Sequence, residues 1–133
     1  MHSSATGADA AKRDGTQITG MDMAAYLVSD PERAIAFYRD VLGLTPTEFD
    51  KEGRGAEFTL ADGSTFGVWK PDDGKTSGGT IMFAVGDARA AVERFRGRGA
   101  ALSDPMETPV CFMAFGADPD GNGIIIHQRK ARD

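Results

Sequence analysis

The chain is poor in the residues that most often build reactive centres. In 133 residues there is one cysteine, Cys111, one tryptophan, Trp69, and two histidines, His2 and His127. A single thiol excludes an internal disulfide framework and fits a reducing, cytoplasmic setting. Two histidines leave little for a histidine-built metal site or a Ser-His-Asp triad. No run approaches the roughly 18 apolar residues of a membrane span, so no membrane is expected as partner. Residues 1–20 lack the apolar core of a secretory leader. Positive charge is outweighed, with 15 Lys and Arg against 20 Asp and Glu and a net charge of −5. That balance argues against a phosphate-backbone footprint and so against nucleic acid. There is no Gly-rich phosphate loop and no CxxC pair. Glycine is in excess, 17 residues, about twice the usual share, which predicts many tight turns. Apolar residues make up 41%, enough for the packed interior of one domain.

What is present is a repeat. Residues 1–20 are small, polar and aperiodic, and read as a flexible arm. After them, Val28-Ser29-Asp30-Pro31-Glu32-Arg33-Ala34-Ile35-Ala36-Phe37-Tyr38 matches Val85-Gly86-Asp87-Ala88-Arg89-Ala90-Ala91-Val92-Glu93-Arg94-Phe95 at an offset of 57. Asp62-Gly63-Ser64-Thr65-Phe66-Gly67-Val68 matches Asp120-Gly121-Asn122-Gly123-Ile124-Ile125-Ile126 at an offset of 58. Two matches in the same order at nearly one offset point to a duplicated module. Module one spans 21–70, a polar linker 71–79, and module two 80–130, together one domain over 21–130.

Each module reads as βαβββ. Met23–Val28 and Thr80–Val85 are apolar runs of strand length. Asp30 and Asp87 are helix N-caps, and Pro31 sits at a first helical position. The helices bury Pro31, Ala34, Ile35 and Tyr38, and Ala88, Ala91, Val92 and Phe95, at helical spacing. Gly43 and Gly99 end them. Strands are expected over Leu44–Phe49, Ala56–Leu60 and Thr65–Lys70, then over Ala100–Ser103, Cys111–Phe115 and Gly123–Gln128. Asp62-Gly63 and Asp120-Gly121-Asn122 are the hairpin turns.

Two segments carry a resemblance to a known family: the run from Val28 through Asp30-Pro31-Glu32-Arg33 to Gly43-Leu44, and Asp118-Pro119-Asp120-Gly121-Asn122. The chain resembles the vicinal oxygen chelate superfamily of glyoxalases, bleomycin resistance proteins and dioxygenases. The resemblance implies an α+β fold. Two tandem βαβββ modules form a cup-shaped curled sheet with the helices outside, and the ligand sits in the cup, often between modules of two chains in a homodimer. Catalytic members hold a divalent metal with up to four side chains, two per module. One lies seven residues before the helix-capping Asp. The other lies three after the residue that follows the Asp-Gly turn. Here those positions are Met23, Gly67, Thr80 and Ile125. None offers a carboxylate, imidazole or thiolate, so no metal and no cofactor is expected.

Strand parity assigns the residues that share this face. The expected ligand-binding set is Met23, Ala25, Gly67, Trp69, Thr80, Met82, Ile125 and His127, with Leu27, Ala84 and Gly123 beside them. Such a lining suits an apolar or aromatic small molecule. The opposite face, Tyr26, Val28, Phe66, Val68, Phe83, Val85, Ile124 and Ile126, packs under the helices. His127 reads either as a catalytic general base or as a strand-end histidine in solvent. Glu57 is a carboxylate base or a solvated charge, on a strand of unsettled parity. Cys111 is a nucleophile or a small buried hydrophobe. Trp69 stacks on a planar ligand or packs an edge strand. Met82, Met106 and Met113 form an adaptable wall or plain core. Two function classes follow. One is a metal-free binding module of the sequestration or resistance type, similar to the bleomycin resistance proteins. The alternative is a metal-independent enzyme with acid–base chemistry at His127, and behind it a metal-dependent lyase or dioxygenase that needs ligands the sequence does not show. Whether the protein is an enzyme stays open at this point.

Overall fold

A computed structural model of the chain describes residues 15–16 and 21–131; apart from residues 15 and 16, the arm expected over 1–20 lies outside them. Module one runs β1 (Ala24–Leu27), α1 (Pro31–Ala36), β2 (Pro46–Phe49), β3 (Gly55–Thr59) and β4 (Thr65–Trp69). Module two runs β5 (Thr80–Ala84), α2 (Ala88–Gly97), β6 (Met106–Glu107), β7 (Cys111–Ala117) and β8 (Gly123–Arg129). The sheets have the same order, β1-β4-β3-β2 and β5-β8-β7-β6. In each the first strand lies parallel to the last, and the other pairs are antiparallel. The fold is α+β, two tandem βαβββ modules.

Local chemistry sets the helix ends. The Asp30 carboxylate accepts from the Arg33 amide (3.2 Å) with Pro31 in the first turn, and Asp87 accepts from the Ala90 amide (3.1 Å). Each cap satisfies an amide that the helix itself cannot. Gly43 (φ 77°) and Gly99 (φ 101°) close the helices in the left-handed region, where a side chain is strained. One feature departs from the regular pattern. After Ala36 the helix widens into a π turn, Phe37–Val41, with the Leu42 amide donating to the Phe37 carbonyl (3.1 Å).

Ala100–Ser103 is not a strand, contrary to its hydropathy. It makes a single bridge, Leu102 to Gly116, and the edge position passes to Met106–Glu107, paired with Met113 and Phe112. Two causes are local. The Arg96 guanidinium takes the Leu102 carbonyl (2.8 and 3.0 Å), and Pro105 has no amide to give a ladder.

The face predicted to pack under the helices does so. Tyr26, Val28, Phe66, Val68, Ile124 and Ile126 are buried, and Phe83 and Val85 pack against them in one core shared by both modules. The joint between the modules is polar at its centre. Asp118, buried, accepts from the Tyr38 hydroxyl of module one (2.7 Å), from the Asn122 side chain (3.0 Å), and from the Asp120 and Asn122 amides (2.9 Å each). Asp120 accepts from Ser29 and lies 3.5 Å from Arg33. The Tyr26 hydroxyl donates to the Gly123 carbonyl (2.5 Å).

Burial, with the Asp118 carboxylate nearby, pushes the Tyr26 phenol up to about 12 and raises Tyr38 further. In the unfolded chain both titrate near 10. A raised folded value means stability is intact below pH 10 and drains away as the pH climbs from 10 through 12. These are the only tyrosines. Spectrophotometric titration should therefore show no tyrosinate at pH 10, then cooperative ionisation together with loss of tertiary circular dichroism. A simple titration near 10 in the folded protein would contradict the joint.

Candidate functional site

Cross-strand partners share a face, so register places every candidate side chain. On module one the row Ala25–Gly67–Glu57–Glu48 crosses all four strands, and Leu27–Trp69–Gly55 runs beside it. On module two the rows are Met82–Ile125–Phe115 and Ala84–His127–Met113–Met106, with Thr80–Gly123–Ala117 at the other end. Both faces point away from the shared core. Each is half-exposed and mostly apolar: Trp69 is 38% exposed and Met82 51%.

A cavity of about 400 Å³ opens on the module-one face. Met23, Ala25, Gly67 and Trp69 line it as parity predicts, joined by Glu48, Phe49 and Glu57. Thr80, Met82, Ile125 and His127 lie on the other sheet and do not line it. The reason is the shared core: once each sheet turns its other face inward, one chain cannot fold its two concave faces onto each other. A second cavity, about 470 Å³, lies behind the β2–β3 hairpin against α1, between Glu32, Ile35, Arg39 and Phe49. Its arginine is already committed, bidentate to Asp40 at 2.7 and 2.8 Å.

The four positions that would carry metal ligands do not fit a hard or borderline cation. The Met23 sulfur lies 3.0 Å from where a Cβ on Gly67 would stand, so a thioether covers the glycine. The Thr80 hydroxyl abuts Gly123 in the same way, and Ile125 is hydrocarbon. Among the described residues no three His, Cys, Asp or Glu side chains converge as a metal site would need. His127 is half-buried between Ala84 and Met113, and its imidazole has no hydrogen-bond partner among the described residues to orient it as a base. Cys111 is a core residue, 3.1 Å from the Thr108 hydroxyl. The Arg54 guanidinium, paired with Asp72, stands 5.8 Å from the Trp69 ring centroid.

Register also settles Glu57, which pairs with Gly67 and faces the cavity. Glu48, Phe49 and Phe115 are site residues that pattern reading missed. Extending the offset of 58 through the middle strands would have found two of them, since Glu48 and Glu57 fall on Met106 and Phe115.

A model of the Glyoxalase/Bleomycin resistance protein/Dioxygenase superfamily matches residues 20–126. No curated protein matches the chain. Solved structures do. An antibiotic binding protein, TnmS3, from Streptomyces sp. CB03234 is 24% identical with a TM-score of 0.74, covering 85% of this chain and 98% of that one. A glyoxalase/bleomycin resistance protein from the same organism is 25% identical, TM-score 0.68, covering 80% and 97%. A lactoylglutathione lyase from Agrobacterium tumefaciens is 20% identical, TM-score 0.71, covering 84% and 94%.

Two glycines of this face should respond differently to alanine. A Cβ at Gly55 would sit 2.1 Å from the Val68 carbonyl, which is strand backbone. Gly55→Ala must open the sheet and should cost on the order of 1–3 kcal/mol. At Gly67 the nearest atom is the movable end of Met23, so Gly67→Ala should stay within about 1 kcal/mol of wild type. Urea midpoints compare them; equal midpoints would mean the β3–β4 register is wrong.

Proposed function

Given that the chain belongs to the Glyoxalase/Bleomycin resistance protein/Dioxygenase superfamily, we propose that it is a metal-independent binding protein that holds an apolar or aromatic small molecule in its cup. The donor set carries this reading. Where chelating relatives need carboxylate or imidazole, this chain has Met23, Gly67, Thr80 and Ile125, and the surrounding face is apolar with a cavity on module one. Sequestration asks only for shape, apolar area and a few oriented polar groups, which the face supplies. The acid–base alternative is less supported. His127 and Glu57 belong to different sheets, and the cavity that Glu57 lines does not include His127.

The same reading includes a homodimer. Met82, Met106 and Phe115 leave an apolar surface on module two that a lone chain exposes to water. Covering it with the concave face of a second copy buries that surface and closes the cup around the ligand. Light scattering at micromolar concentration should return twice the monomer mass; a monomer would remove the second wall of the cup.

Ile125 is the position that tests the function. Ile125→Glu puts a carboxylate where a chelating relative carries one, but within a low-dielectric wall. Affinity for a cup ligand found by thermal-shift screening should fall at least tenfold, about 1.4 kcal/mol. Zinc titration of the same variant should show no stoichiometric binding, because the other three positions still supply no strong donor. Unchanged ligand affinity would place the site elsewhere.

A further inference from the structure

The methionines of this chain are unevenly placed. Of six, Met82, Met106 and Met113 lie on the outward face of module two, and Met82 and Met106 are each 51% exposed. An apolar side chain left this open gains little from folding. A thioether can do something that a leucine cannot, because its sulfur is a soft donor. We infer that this face binds a soft monovalent cation, Cu(I) or its analogue Ag(I), between the sulfurs of Met106 and Met113 and the imidazole of His127. The inference rests on strand register within one chain and is independent of the cup-binding reading.

Register brings the three donors into one row. Met113 pairs with Met106 on one side and with His127 on the other. Opposed residues have Cβ atoms about 5 Å apart, so both neighbours stand within side-chain reach of the central sulfur. Methionine is unbranched and flexible, and can swing its sulfur to a shared point. The imidazole is free to join. His127 has no hydrogen-bond partner among the described residues, and Ala84, opposite it on β5, is too small to cover it. Two thioethers and an imidazole suit Cu(I); hard cations ask for oxygen ligands. No carboxylate shares the row, and Glu107 pairs with Phe112 on the opposite face. On one flank stand Met82, Ile125 and Phe115, which are apolar. On the other stand Arg129, exposed, and Cys111, buried with its sulfur 3.1 Å from the Thr108 hydroxyl. The duplicated module lacks the arrangement: at the offset of 58, Met113 and His127 correspond to Gly55 and Trp69, and neither is a metal ligand. All three donors come from one sheet, so this site is distinct from the four positions shared between modules.

The test labels the methionine methyl groups with carbon-13 and follows them by NMR while silver nitrate is added in chloride-free buffer. Ag(I), stable in air, stands for Cu(I). The Met106 and Met113 signals should move and saturate at one equivalent, while that of Met21, 91% exposed, stays in place. Met106→Leu keeps the volume of an exposed apolar side chain and so the fold. It should raise the half-saturating concentration at least about tenfold, a loss that even an outer-shell contact can bring. His127→Gln should do the same, and Met21→Leu should change nothing. Zn(II) at the same concentrations should leave the Met106 and Met113 signals where they are. Uptake of Ag(I) without movement of those two signals would place the ion on Cys111 and overturn the site. Equal affinity in wild type and Met106→Leu, or an equal response to Zn(II), would overturn it as well. If His127→Gln melts lower than wild type, the Met106→Leu comparison decides.

Discussion

The arrangement of this molecule depends on one buried carboxylate. Asp118 is 6% exposed, and an ion taken out of water costs several kcal/mol unless its oxygens are fully engaged. Two backbone amides and the Asn122 side chain come from its own turn. The fourth donor, the Tyr38 hydroxyl, comes from the other module. The carboxylate is thus satisfied only when the modules meet in one orientation. Tyr38 itself is seated by the π turn of module one and by ring contacts to Phe66 (4.7 Å) and, across the joint, Phe83 (6.4 Å).

That orientation decides what the surface can do. With one face of each sheet committed to a common core, the other two faces turn outward on separate sheets. The duplicated positions have then followed different constraints. Core-facing residues keep their character in both copies, because a packed interior tolerates few changes of volume. Concave residues do not. Ala25 and Gly67 stand where module two has Met82 and Ile125, and Glu48 and Glu57 stand where it has Met106 and Phe115. One copy is hollow and carries carboxylates; the other is filled and rich in thioethers. A binding role needs no symmetry between the two halves, whereas chelation needs matched donors from both.

The helix caps, the glycine stops and the inward side of four strands were legible because each follows from chemistry within a few residues. Asp30 and Asp87 need only the next turn of backbone, and the alternation through Tyr26, Phe66, Ile124 and Ile126 needs only a pleat. The strand assigned to Ala100–Ser103 failed because Arg96, on a different element, takes the Leu102 carbonyl. Glu57 stayed ambiguous because its facing depends on pairing with Gly67. Phe49 was missed because its place at the cavity rim depends on how edge strand β2 pairs, with a register shift between Pro46 and Glu48.

The amino-acid sequence by itself determined the duplicated βαβββ plan and which side of each principal strand is apolar, since these are properties of residue type and local spacing; the family resemblance added that Met23, Gly67, Thr80 and Ile125 stand at the chelating positions. Only the tertiary structure decided that a cavity opens on module one, that Glu48, Phe49 and Glu57 border it, and that Asp-Pro-Asp-Gly-Asn is a joint as well as a turn. Those outcomes depend on strand register and on the desolvation of Asp118 against a residue eighty positions away, and no local rule carries that information.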